Sequence, residues 1–488
     1  MKLSELLIKL NYDLINGEPS AEINRIVYDT RQEMSRGDVF VCIRGAVYDS
    51  HDFIKDAAAA GVTAVIVERD IDITDELSAL TVIRVDNTRL ALALMSAEFF
   101  GNPAKQLFTI GITGTKGKTT TTFMVREILE KCGIPTGLIG TNEIIIGDEH
   151  IPALNTTPES YKIHEYFRKM ADIGCKCVVM EVSSQALKLD RTAGIYFDIG
   201  VFTNLEPDHI GPNEHESFED YVRCKGLLFR QCKTGIVNSD SEHADEVLKD
   251  HTCEVETYGL NADAGIRADN ISYVHNGGNF STSYDVSGTV KLHAKLTLPG
   301  LFSVYNSLCA IAVTRHFKVS EELLLKALYE VKVEGRVEPV KVSDDFIVMI
   351  DYAHNAMSLE SLLTTLKEYN PNRIITVFGC GGNRSRDRRF EMGEISGKMS
   401  DFTVITSDNP RTEEPEDIMN DIETGIKKTD GKYIKIADRA EAVRYAVSMG
   451  ERGDIIVVAG KGHEDYQEIK GVKYHMKDRE LIEAASEQ

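Results

Sequence analysis

Short apolar runs alternate along this chain with segments whose apolar residues recur every three or four positions. The runs at 39–43, 64–67 and 81–85 are rich in Val and Ile and read as strands, while 51–60 and 88–100 carry helical spacing. Gly101-Asn102-Pro103 breaks the second helix and marks a boundary. The alternation restarts at Phe108, with strands expected at 108–112, 177–182 and 199–204. A helix carrying Phe123, Met124, Ile128 and Leu129 follows the first of them. Residues 252–300 read as short strands with the turn Asn276-Gly277-Gly278-Asn279, an appended antiparallel sheet, before a helix over 304–317. A third restart places strands at 346–350, 373–378, 402–406 and 454–459.

The expected fold class is α/β in three domains. Residues 1–106 form a small N-terminal α/β domain. Residues 107–335 form a central doubly wound parallel sheet with a P-loop and the small antiparallel sheet, and 336–488 form a Rossmann-like C-terminal α/β domain. The length fits, since 488 residues exceed what one hydrophobic core usually serves. The first fifteen residues, interrupted by Lys2, Glu5 and Lys9, read as an amphipathic helix rather than a secretory leader.

Composition narrows function by exclusion. A formal net charge of −22 is the wrong sign for a phosphate backbone, so nucleic acid is not an expected partner. No run of about 18 apolar residues appears, so no membrane span is expected. The nine cysteines are scattered without zinc-ligand spacing, which suits reduced thiols in the cytoplasm. A monomer acting on small molecules is the expectation.

The chemistry concentrates where strands end. Gly114-Thr115-Lys116-Gly117-Lys118-Thr119-Thr120 joins a strand to a helix, the layout of a phosphate-binding loop. Lys118 would reach the β- and γ-phosphates of a nucleoside triphosphate, and Thr119 would hold Mg²⁺. The strict pattern is missed at Ile112, where glycine is usual. Glu181 and His209, each following a buried strand, are candidate metal ligands at the sheet's carboxyl edge. Asn155-Thr156-Thr157-Pro158 offers polar groups to a ligand or caps the helix after it. Thr30 and the Ala46-Val47-Tyr48 turn read as turn chemistry, and Lys225, on a helix over 218–229, as solvated. In the last domain four strands deliver Asp351-Tyr352-Ala353-His354, Gly379-Cys380-Gly381-Gly382, Asp408-Asn409-Pro410-Arg411 and Gly460-Lys461-Gly462-His463-Glu464. The second of these lacks the order of a dinucleotide loop.

These motifs, with Glu181-Val182-Ser183-Ser184, Phe202-Thr203-Asn204-Leu205, Asp208-His209, Tyr305-Asn306 and Gly335-Arg336-Val337-Glu338, resemble the Mur ligases along almost the whole chain. Those enzymes form amides at the expense of ATP in peptidoglycan synthesis. The resemblance implies a uridine nucleotide on the first domain, ATP on the second and an amino acid on the third. It implies that Gly114, Thr115, Lys116, Gly117, Lys118, Thr119 and Thr120 bind ATP together with Asn306, Arg336 and Asp351. It makes Thr119, Glu181, His209 and a carbamylated Lys225 ligands of Mg²⁺, overturning the solvated reading of that lysine. Thr30, Ala46, Val47 and Tyr48 match uridine contacts, and Asn155, Thr156, Thr157, Ser183 and Arg191 match contacts to the muramoyl dipeptide. Arg389, Asp408, Asn409, Pro410, Arg411, Gly460 and Glu464 match an amino-acid pocket. The Asp408–Arg411 and Ala459–Glu464 motifs are similar to those of members that add meso-diaminopimelate to UDP-N-acetylmuramoyl-L-alanyl-D-glutamate through an acyl phosphate.

The chain departs from the family pattern at Gln185, at Leu189 and over Ile210-Gly211-Pro212-Asn213. Alternatives are the same reaction with L-lysine, which would leave Arg411 without a distal carboxylate, and folylpolyglutamate synthetase, which the residues before the phosphate loop argue against. A nucleotide-binding regulatory protein without ligase activity is opposed by the intact Lys118, Thr119, Glu181 and His209.

Overall fold

Valine and isoleucine at consecutive positions, buried on both faces, build the parallel sheets of this protein. The computed structural model describes residues 1–45, 48–208, 210–211, 214–276 and 279–486. The chain divides into two compact units, Met1–Asn261 with Ala312–Lys318, and Ala262–Ile311 with Val319–Gln488. Among the described residues no helix is long and apolar enough to cross a membrane. Among the described residues no cysteine forms a disulfide.

The first unit holds two sheets. Strands β1 (Asp13–Asn16), β2 (Arg25–Val27), β3 (Asp38–Val41), β4 (Ala64–Val67) and β5 (Thr81–Arg84) stand in the order β1-β5-β4-β3-β2, parallel except for β1. Helix Thr88–Phe99, capped by Asn87, buries Ala91, Leu92 and Met95 in their core. The helix expected over the first fifteen residues is only Leu3–Leu6. Leu3, Leu6 and Leu7 reach the core within one turn, and Asp13–Asn16 is then drawn out to pair with β5.

The second sheet contains β6 (Phe108–Thr113), β7 (Thr136–Ile139), β8 (Glu143–Ile146), β9 (Glu149–Pro152), β10 (Cys177–Glu181), β11 (Phe197–Phe202), β12 (Cys232–Asn238) and β13 (Glu254–Gly259). Their order is β13-β12-β11-β6-β10-β7-β8-β9, parallel from β13 to β7 and antiparallel beyond. β6 lies between β10 and β11, and the chain leaves β6 toward β7 on one side but leaves β11 toward β12 on the other, which opens a crevice at their carboxyl ends. Strand β6 fixes the site.

In the second unit β14 (Ile266–Asn276), β15 (Asn279–Gly288) and β16 (Leu292–Leu296) form the expected antiparallel set. The set starts later than expected. Glu254–Gly259 pairs parallel with β12, its alternating polarity reflecting partial exposure rather than antiparallel pairing. The turn's Gly277 and Gly278 lie outside the described residues. The next helix is Leu301–Thr314. A six-stranded sheet comprises β17 (Glu338–Val340), β18 (Ile347–Asp351), β19 (Ile374–Phe378), β20 (Phe402–Ile405), β21 (Tyr433–Lys435) and β22 (Ile455–Ala459), in the order β17-β18-β22-β19-β20-β21. All its pairings are parallel except that of β17.

Beneath this sheet's carboxyl edge Arg439 and Asp478, both with fully buried side chains, share two bonds of 2.7 Å. Removing one member of a buried pair strands the other charge, at roughly 3–5 kcal/mol. Asp478→Ala should therefore destabilise the second unit by about that amount in urea unfolding. A change under about 0.5 kcal/mol, typical of a surface substitution, would contradict it.

Candidate active site

At the carboxyl end of β6 the chain turns through Gly114-Thr115-Lys116-Gly117 into helix Lys118–Lys131, whose first turn carries Thr119 and Thr120. Ile112, the residue that breaks the strict motif, is a buried strand position paired with Glu181, and the turn starts two residues later. Gly114 has φ +148°, and a Cβ there would lie 1.9 Å from Thr203 Oγ1. Only glycine fits. Thr203 Oγ1 instead donates to Lys116 O at 2.7 Å. Asn204 accepts from Lys116 N at 2.8 Å and donates to Lys116 O at 3.0 Å, which clamps the loop from β11. Lys118 Nζ donates to Gly114 O at 2.9 Å and Thr115 O at 3.0 Å.

Glu181, on the neighbouring strand β10, is fully buried. Its carboxylate accepts from Thr141 N at 2.8 Å and Thr141 Oγ1 at 3.0 Å. Thr157 Oγ1 donates to Glu181 O at 2.9 Å and accepts from Ser183 N at 3.0 Å. Thr157 is therefore not a helix cap; Glu159 caps Ser160–Asp172. Arg191 Nη1 donates to Thr157 O at 3.0 Å, Thr156 lies 3.1 Å from Thr141 Oγ1, and Asn155 is exposed. The expected muramoyl contacts thus cluster around the end of β10.

Lys225 is not solvated. Helix Phe218–Gly226, capped by Ser217, turns Tyr221 and Lys225 inward, and Lys225 is 1% exposed. Its Nζ donates to Gly114 O at 2.8 Å and lies 4.3 Å from the Tyr221 ring centre. Burial, reinforced by Lys118, holds this amine well below the usual lysine range. Tyr221 OH in turn stands 3.0 Å from Thr115 Oγ1 in the phosphate loop. The signal was in the sequence: Tyr221, Lys225 and Leu228 share a helical face. His209, the other expected ligand, lies outside the described residues.

A second chain of contacts was not foreseen. Ser184 Oγ is 2.8 Å from His215 Nε2, and His215 Nδ1 is 3.0 Å from Asp220 Oδ2. Burial lowers the His215 pKa, so the neutral ring presents Nδ1–H to Asp220 and accepts the Ser184 hydroxyl on Nε2. Burial alone would raise Asp220, but Lys188, Arg223 and His215 hold its carboxyl well below the usual range. His215, Asp220 and Cys224 place ligand atoms within 4.8 Å of one another. Asp220 is already paired with Lys188 and Arg223, each at 2.7 Å, which leaves little negative charge for a cation.

In the first sheet Thr30 and Tyr48 are exposed, Tyr48 at 75%. Ala46 and Val47, the other expected uridine contacts, lie outside the described residues.

The second unit gathers the remaining positions. Asp351 Oδ2 accepts from Val337 N and Oδ1 from Ala353 N, each at 2.8 Å, and burial raises its pKa. The Arg336 guanidinium stacks 4.6 Å from the Tyr352 ring centre with its Nε lacking a partner, and Asn306 is buried on helix Leu301–Thr314. Gly460 adopts φ +108° at the end of β22, and a Cβ there would press on Asp408 Oδ2 at 2.8 Å. Asn409 Nδ2 donates to Glu464 Oε2 at 2.8 Å. Arg411, after the buried Pro410, donates from Nη1 to Gly382 O at 2.6 Å, pairs through Nε with Glu468 at 3.4 Å and keeps a 27% exposed side chain. Arg389 is 2% exposed and already holds Glu413 at 2.8 Å and Asp421 at 3.1 Å, leaving only Nε without a partner. Its partners arrive from distant sequence, which motif reading does not show.

Family models match the chain in succession: "Mur ligase family, catalytic domain" over 22–100, "Mur ligase middle domain" over 112–314 and "Mur ligase, glutamate ligase domain" over 335–462. The UDP-N-acetylmuramoyl-L-alanyl-D-glutamate–2,6-diaminopimelate ligase of Clostridium perfringens is 40% identical over 99% of each chain. That of Caldanaerobacter subterraneus is 41% identical over 99% of this chain and 98% of its own. A solved structure of a ligase of the same name superposes with a TM-score of 0.73 at 26% identity, covering 100% of this chain and 99% of its own. The MurF ligase of Thermotoga maritima in complex with ADP shares the fold, with a TM-score of 0.60 at 18% identity over 95% of this chain and 98% of its own.

The Asp220 cluster yields a pH signature. A carboxyl whose folded pKa is depressed contributes stability above its unfolded pKa, about 3.9, and loses it as pH falls through the folded value. Asp220→Asn should therefore lower the melting temperature at pH 7 by clearly more than at pH 3. An equal deficit at both pH values would contradict the ionic role.

Proposed function

Because the chain belongs to the Mur ligase family, we propose that it joins meso-diaminopimelate to UDP-N-acetylmuramoyl-L-alanyl-D-glutamate in an ATP-dependent amide ligation of peptidoglycan synthesis. The observation that carries this reading is the phosphate loop at the switch point of a parallel sheet, with Lys118, Thr119, Glu181 and Lys225 around the carboxyl end of β6. The full-length likeness to diaminopimelate ligases supplies the substrate class.

The acceptor's free carboxylate attacks the γ-phosphorus of ATP, a P–O bond to ADP breaks, and an acyl phosphate forms. The amine then attacks the acyl carbon, the tetrahedral intermediate expels phosphate, and the nitrogen loses its proton. Negative charge accumulates on the transferring phosphoryl group, so catalysis is positioning and charge neutralisation. Loop N–H groups and the start of helix Lys118–Lys131 face that charge. Lys118, now on its own loop's carbonyls, exchanges them for phosphate oxygens.

The donors Thr119 hydroxyl, Glu181 carboxylate and a Lys225 carbamate, with His209, form an oxygen-rich set that suits Mg²⁺. The ion would neutralise phosphate charge when bound. A buried amine with little positive charge is the form that adds to CO₂, which supports carbamate formation at Lys225. Arg411, the more exposed of the two candidate guanidinium groups, takes the distal carboxylate of diaminopimelate.

ADP release tests the proposal. Turnover should require both the UDP-linked dipeptide and meso-diaminopimelate, with L-lysine poor; no release with both co-substrates overturns it, and equal use of lysine removes the diaminopimelate assignment. Lys225→Ala should lose activity at least about a hundredfold, the scale of losing one charge-stabilising group, and regain part of it with added acetate or formate. No recovery at any carboxylate concentration would contradict the carbamate.

A further inference from the structure

Lys461 plays no part in the reading above, yet it is among the most enclosed charges in the protein. Its side chain has no exposed surface, and its Nζ sits 3.3 Å from Asn409 Oδ1, 3.3 Å from Glu464 Oε2 and 3.8 Å from Asp408 Oδ1. The Tyr466 ring centre lies 5.5 Å away and closes the remaining side. These partners come from the ends of two different strands, β20 and β22.

The amide between them bonds to both. Asn409 Oδ1 accepts from Lys461 Nζ and, at 2.8 Å, from Glu468 N, while its Nδ2 donates to Glu464 at 2.8 Å. Asn409 therefore spans the lysine and the glutamate, with its carbonyl oxygen taken twice and one Nδ2–H committed to Glu464. Asp408 is held from behind, since Gln467 Nε2 donates to its backbone oxygen at 2.7 Å and the missing Cβ of Gly460 leaves room for its carboxylate. Glu464, with a 20% exposed side chain, is the member of the group that faces outward.

We propose that Lys461 is a positioning residue for the amine substrate, fixing Glu464 and Asp408 and leaving the group one net negative charge, the complement of a single ammonium. This rests on the reading that the carboxyl edge of β20 and β22 binds the diamino acid. Two carboxylates against one lysine leave a charge of −1, whereas without the lysine the two would repel with no cation beside them. The lysine also immobilises the Glu464 carboxylate by two routes, directly and through Asn409. A diamino acid that is held distally by one ammonium and one carboxylate needs one free negative charge and one guanidinium, and Arg411 is the second of these.

The test uses the full chain, with ADP release measured against meso-diaminopimelate at saturating ATP and UDP-linked dipeptide. Glu464→Gln and Lys461→Met should each raise KM for diaminopimelate by about thirtyfold or more, as expected when one partner of a buried charge pair is removed. KM for ATP should stay within about twofold, and the double variant should be no worse than the worse single one, because the two act as a unit. Lys461→Met with an unchanged KM for diaminopimelate, or with KM for ATP rising in parallel, or with penalties that multiply in the double variant, overturns the proposal while leaving the amino-acid assignment intact. Glu464→Gln without effect overturns that assignment and the proposal with it. Should Lys461→Met fail to fold by circular dichroism, Lys461→Gln keeps a donor without the charge. It should raise the same KM to a smaller extent, and no rise overturns the proposal.

Discussion

Two lysine side chains end on one backbone carbonyl. Gly114 O accepts from Lys118 at 2.9 Å and from Lys225 at 2.8 Å, and the second lysine has no solvent around it. Burial penalises a charge on Lys225, and the neighbouring Lys118, poorly screened by water there, adds to the penalty. The protein relieves this by pushing the Lys225 amine toward neutrality. An anion arriving at the loop relieves it better. Everything near the first unit's crevice follows from holding that carbonyl inward, which requires the backbone conformation that Gly114 alone supplies, with Thr203 packed where a side chain would be.

The second unit solves the opposite problem with the same architecture. Parallel strands again deliver polar groups at their carboxyl ends. Here the backbone concession falls at Gly460, and what gathers is acidic: Asp408 and Glu464 around one enclosed lysine. Beneath them the Arg439–Asp478 pair ties Ala459 O into the same scaffold, so the ends of β20 and β22 do not move independently of the helices below. One sheet edge gathers lysines around a backbone carbonyl and the other gathers carboxylates around a lysine. A ligase that activates an acid and presents an amine needs both.

Much of this was legible in order and spacing. The strand, turn and helix at 108–131 announced themselves because a parallel strand is apolar throughout and the helix after it is amphipathic. Local patterning failed wherever a distant partner decided the outcome. The N-terminal helix shrank because Asp13–Asn16 pairs with β5, nearly seventy residues on. Arg389 looked free for a ligand, but Glu413 and Asp421 already hold it. Lys225 misled for a different reason: a lysine on a helix is usually solvated, and only its shared face with Tyr221 and Leu228 hinted otherwise. Ile112 looked like a defect in the motif and is simply a strand residue paired with Glu181, one position before β6 ends.

The departures from the family pattern can be weighed the same way. Gln185 and Leu189 follow Ser184, and the altered segment from 210 to 213 precedes His215. Ser184 and His215 are bonded to each other, and His215 is bonded to Asp220 on the helix that carries Lys225. On the near side Glu206 N donates to Thr115 Oγ1 at 3.0 Å, and Glu206 pairs with Lys116 at 2.7 Å. The altered segment is therefore bounded by an anchor to the phosphate loop and an anchor to the strand end that bears Glu181. A change of length or composition between two fixed points reshapes what lies between them and leaves the points themselves in register. For that reason the departures fall outside the bonds that hold Gly114, Lys118 and Glu181 in place.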